Sequence, residues 1–90
     1  MRRVGIDVQL VFSRRSIDLS GGIQANYLAI LREMYQEAQR KAETVGGNVI
    51  TTIKPEIIIK EAIHPGGEEV YLLATRWIAE VPSNAVIPEE

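Results

Sequence analysis

Residues 69–81 read Glu-Val-Tyr-Leu-Leu-Ala-Thr-Arg-Trp-Ile-Ala-Glu-Val, with apolar side chains on both parities. Tyr71, Leu73, Trp77, Ala79 and Val81 share one face of an extended segment. Val70, Leu72, Ala74 and Ile78 share the other, beside Arg76 and Glu80. Successive strand side chains point to opposite faces, so a strand apolar on both is a central strand covered on both sides. The rest of the chain therefore has to supply this segment with neighbours and with covers.

The neighbours are legible. Val4, Ile6, Val8, Leu10 and Phe12 alternate with Gly5, Asp7, Gln9 and Val11, the period of a strand with one buried face. Residues 49–63 read as another strand, with Val49, Thr51, Ile53, Ile57, Ile59 and Ile63 on one parity. Pro55 cannot donate to a ladder and marks an edge or a break there. His64-Pro65-Gly66-Gly67 then supplies a turn into the third strand.

Between the first two strands the period becomes helical. Ile23, Tyr27, Ile30, Leu31, Met34, Ala38, Ala42 and Val45 recur at steps of three and four, with Arg32, Glu33, Glu37, Arg40 and Lys41 on the other side. The pattern predicts a helix from about Ser20, as N-cap, to Val45, ended by Gly46-Gly47.

The expected fold is α+β: β-α-β-β, one long amphipathic helix packed on a three-stranded, mainly antiparallel sheet with the third strand in the middle. Residues 1–81 form a single domain, and 82–90 form an extended C-terminal tail. One helix covers one face, which leaves Ile50, Ile58, Val70, Leu72, Ala74 and Ile78 on the other. An exposed apolar area of several hundred Å² marks an interaction site. These six residues are the expected homo-oligomer interface, the alternative cover being the tail with Val86 and Ile87. Between Ile23 and Val81 the outline resembles, in topology only, small β-α-β-β folds such as dodecins. That resemblance implies an assembling subunit that binds a flavin, although Trp77 sits on a different strand from that family's stacking tryptophan.

Composition narrows the chemistry. Ten basic and twelve acidic residues give a net charge of −2, without the general attraction to nucleic acid or anionic membranes of a basic chain. With no cysteine and one histidine, thiol catalysis and disulfides are excluded, and the sequence presents no metal set. No apolar run is long enough to span a membrane, so the cytoplasm is the expected location.

The local candidates are few. Arg14 and Arg15 with Ser20-Gly21-Gly22 at the helix start form a candidate anion site, for a phosphate or carboxylate. Tyr71 and Trp77 could stack on a planar ligand but read more simply as core. Asp7 and His64 are the acid–base candidates, neither with a partner at a recognisable spacing, so no catalytic residue is assigned and no cofactor is named. Arg2, Arg3, Arg14, Arg15, Lys54 and Lys60 would have to converge to bind nucleic acid. The expected function is a small non-enzymatic, oligomer-forming or ligand-binding assembly protein. The alternatives are a nucleic-acid-binding accessory protein and an enzyme with an interface active site.

Overall fold

The computed structural model describes residues 1–86. Its elements run β1 (Arg2–Ser13), α1 (Arg14–Leu19), α2 (Gly22–Glu43), β2 (Asn48–Val49), β3 (Glu56–Ile63) and β4 (Glu69–Val81). All pairings are antiparallel and all are made by β4. β1 lines one edge of it, from Arg2 opposite Val81 to Ser13 opposite Val70. β2 and β3 share the other edge, β2 at Glu80 and Ala79 and β3 from Arg76 to Glu69.

The fold class and the central third strand agree with the sequence reading; the strand count does not. The strand expected over 49–63 is two. Ile50 still donates its N–H to Ile78 O at 2.8 Å. Residues 51–53 then turn out of the ladder, and pairing resumes at Glu56, just beyond Pro55, which has no N–H to offer.

The helix start also differs. α1 is a short helix to which the sequence reading assigned no element, and Ser20 ends it rather than capping α2. The Ser20 hydroxyl and amide both bond Ser16 O, at 2.9 and 3.2 Å. Two left-handed glycines, Gly21 (φ 99°) and Gly22 (φ 87°), then turn the chain into α2, a conformation glycine adopts without a Cβ clash. At the far end Gly46 N bonds Glu43 O at 3.1 Å and Gly47 N bonds Ala42 O at 2.9 Å. With Gly46 at φ 80°, these are the paired bonds of a Schellman motif.

Ile30, Met34, Ala38 and Ala42 of α2 lie buried against Ile6 and Val8 of β1, Val49 of β2, and Leu73, Trp77 and Ala79 of β4. Each large aliphatic side chain buried this way contributes about 1.5–3 kcal/mol. Gln39 pins β2 to the helix: its Oε1 accepts from Val49 N at 2.8 Å and its Nε2 donates to Asn48 Oδ1 at 3.0 Å. The molecule is one helix layer on one sheet, 16 Å through its thinnest axis.

Beyond β4, Ala85 N bonds Pro82 O at 2.9 Å and the Arg2 guanidinium donates to Ala85 O. Val86 is exposed. Ile87 and the rest of the expected tail lie outside the described residues.

Candidate functional site

Three registers across the open sheet face bring together Val11–Leu72–Lys60, Gln9–Ala74–Ile58 and Asp7–Arg76–Glu56. The first two hold the apolar surface. Val11 is 53%, Ile58 54% and Leu72 40% exposed, around half-buried Ala74. The third row is charged. Arg76 Nε bonds Asp7 Oδ1 at 2.9 Å, and Asp7 is the main cause of the raised proton affinity of that guanidinium. A Cβ on Gly5 would lie 3.2 Å from Arg76 Cδ, so the glycine leaves room for the arginine stem to lie along the sheet.

Of the six residues expected at the interface, Ile58, Leu72 and Ala74 adjoin one another. Val70 is buried, 4% exposed, between its ladder partners Ser13 and Ala62. Ile50 and Ile78 are half-buried beyond the Asp7–Arg76–Glu56 row. Val11, on the same parity as Gln9, is the contributor the sequence reading did not single out.

The structure does not bring the anion candidates together. Arg14 opens α1 and Ser20-Gly21-Gly22 closes it, about 9 Å of helix away. Arg14 lies 5.5 Å over the Tyr71 ring, with Glu69 at 3.4 Å and Glu61 at 3.7 Å. Tyr71 first, and then the two carboxylates, raise its proton affinity. One guanidinium facing two carboxylates leaves no positive surplus for an anion. Tyr71 is further held through its hydroxyl, which donates to Asp18 Oδ1 at 3.1 Å. Arg15 is exposed.

Trp77 is buried, edge-on to Tyr35 at 5.8 Å, and its Nε1 donates to Thr75 Oγ1 at 2.9 Å. It is core, closed to a stacking ligand. His64 sits exposed in the β3–β4 turn, its amide donating to Glu68 O and its carbonyl accepting from Gly67 N, each at 2.7 Å. Besides its bond to Arg76, Asp7 offers its carbonyl to Lys41 Nζ at 3.1 Å. Arg3 faces Glu80 at 3.8 Å, and Arg2 and Arg3 open β1 whereas Arg14 and Arg15 follow its far end, so these four arginines do not form a common patch. Among the described residues no cluster of three metal-ligating side chains occurs, and no helix is long and apolar enough to cross a membrane.

A second apolar surface lies on the helix side. α2 packs on β1, β2 and β4 and is set farther from β3, no Cα of which lies within 8 Å of a Cα of the helix. The parity of Ile57, Ile59 and Ile63, expected beneath the helix, is therefore only partly covered, and Ile59 and Ile63 are exposed. What remains is a trough with Ile57, Ile59 and Leu73 as its floor and Ile23, Tyr27 and Leu31 as its wall. Beside the trough Leu28 is 78% exposed. Residues 22–31 of α2 carry no charged side chain, whereas residues 32–43 carry six. That asymmetry is the sequence signal for this surface.

No protein-family model, curated protein or solved structure matches the chain.

Proposed function

We propose that this protein is a non-enzymatic structural subunit that self-associates through the sheet face opposite α2. The observation that carries the reading is the contiguous exposed trio Val11, Ile58 and Leu72 around Ala74, on a face with no covering layer among the described residues. The chain exposes 6258 Å², against about 5,200 Å² for a typical folded monomer of its mass. The excess is that of a flat molecule, 43 × 27 × 16 Å, with a helix layer on one side of its sheet. Burying about 400 Å² of apolar face would contribute about 10 kcal/mol, offset by association costs of about 4–15 kcal/mol. The balance favours a reversible assembly more than a permanently locked one. The cytoplasm, the location expected from a sequence with no membrane-spanning run, is the setting of this reading.

Leu72→Lys tests it. The substitution places an ammonium in the middle of the patch, across the ladder from Lys60, at a residue outside the buried core cluster. Light scattering on eluted peaks should show a multimeric wild type and a smaller species for the variant, with unchanged helical circular dichroism. A monomeric wild type, or a variant of unchanged mass, would sink the proposal. Nucleic-acid binding is the weaker reading, because Arg14 and Arg3 already face carboxylates. Salt-sensitive retention of the monomer on DNA or RNA would restore it.

A further inference from the structure

We infer that the trough between α2 and β3 is occupied by the N-terminal half of α2 from a second copy of this chain. The inference extends the self-association reading to a second surface, and the two fail separately.

The trough lies where a helix neighbouring α2 would pack. Helices packed side by side lie about 8–10 Å apart, and neighbouring strands about 4.8 Å apart. A helix laid beside α2 therefore sits over β3, the strand set farther from α2. The same chain carries a helix of the required chemistry. Residues 22–31 of α2 carry no charge, their polar side chains being Gln24, Asn26 and Tyr27, and they present Ala25, Leu28 and Ala29 to solvent. Ala25 and Ala29 stand one turn apart and allow a close helix approach. An unfilled trough and an uncovered half-helix, side by side on one protomer, are the two halves of a self-complementary contact. A two-fold axis satisfies both at once, each copy giving its helix to the other's trough.

The charges of α2 begin at Arg32, exposed and one turn beyond Leu28 on the same strip, which puts that guanidinium at the rim of the contact. Because this surface and the open sheet face lie on opposite sides of the sheet, a chain using both assembles at least four copies.

The test is native mass spectrometry of the full chain as wild type, Leu28→Glu, Leu72→Lys and the double variant. Wild type is expected as a tetramer or larger, each single variant as a species of about half that mass, and the double variant as monomer. Leu28→Glu assembled like the wild type would overturn the trough contact, whatever Leu72→Lys does. Loss of assembly in Leu28→Glu with no change in Leu72→Lys would support the trough and sink the sheet-face reading. A monomeric wild type would overturn both. Ala25→Glu, on the same exposed strip, repeats the test should Leu28→Glu alter the protomer's own circular dichroism.

Discussion

Gly47 is where α2 hands the chain to the sheet, and the room for it is small. A Cβ built there would lie 2.5 Å from Glu80 O, 2.6 Å from Val81 Cγ1 and 3.2 Å from Val81 Cα. Even close carbon–oxygen contacts stand at about 3.3–3.6 Å, so the oxygen would have to withdraw by nearly 1 Å. Glu80 is held in the ladder between Arg3 and Asn48 and cannot yield without stretching both pairings. Overpacking costs about 1–3 kcal/mol, and with backbone as the obstacle Gly47→Ala belongs at the top of that range. Gly46→Ala is the control. Its Cβ meets only Pro82 Cγ at 3.7 Å, but its φ of 80° is left-handed, which costs an L residue about 1–2 kcal/mol. Both variants recover about 0.4–1 kcal/mol from a stiffer unfolded chain. Urea unfolding at matched protein concentration should therefore rank Gly47→Ala below Gly46→Ala. Thermal midpoints should fall by about 4–8 °C per kcal/mol. A Gly47→Ala protein as stable as wild type, or more stable than Gly46→Ala, would refute the reasoning.

Three further outcomes are expected. Thr75→Val removes the acceptor of the buried Trp77 indole N–H and should cost about 1–3 kcal/mol in urea unfolding, with a changed tryptophan emission. Gln39→Ala strips Val49 N of its partner and Asn48 Oδ1 of its donor; it should lower hydrogen-exchange protection at Val49 more than at the β1–β4 pairs. The Glu37 carboxyl is held below its ordinary value, chiefly by its hydrogen bond to Arg40. Its contribution is present above the unfolded value and is lost as pH falls through the folded one. Glu37→Gln should thus cost about 0.3–0.5 kcal/mol at neutral pH and nothing under acid conditions, read by unfolding titrations at both.

The long periodic elements were legible because period needs length. Two parities over 69–81 were enough to place β4 in the middle, and eight apolar positions were enough to place α2. α1 spans six residues, under two turns, too short for any period to emerge from Ser13-Arg14-Arg15-Ser16. Ser20 was read by residue type as an N-cap, but its hydroxyl is committed backward to Ser16 O. Parity also told which residues share a face without telling how far a cover reaches. Ile59 and Ile63 share a parity with the partly buried Ile57 yet lie exposed, because α2 is set over β1 and β4. On the opposite face the same limit appears at Val70, on the interface parity yet buried. The charged row through Arg76 depends on the β1–β4 and β3–β4 registers, which no single segment encodes.

That β4 makes every strand pairing has a consequence for the order of events during synthesis. β1 leaves the ribosome well before β4, its ladder partner among the described residues, with Ser13 waiting for Val70 and Arg2 for Val81. At roughly 5–20 residues per second, the wait is on the order of 3–15 s. Throughout it Val4, Ile6, Val8, Leu10 and Phe12 stand in a nascent segment with no sheet to join. The Arg2-Arg3 and Arg14-Arg15 pairs that bracket this segment are placed to keep it from pairing with the same strand on a neighbouring nascent chain.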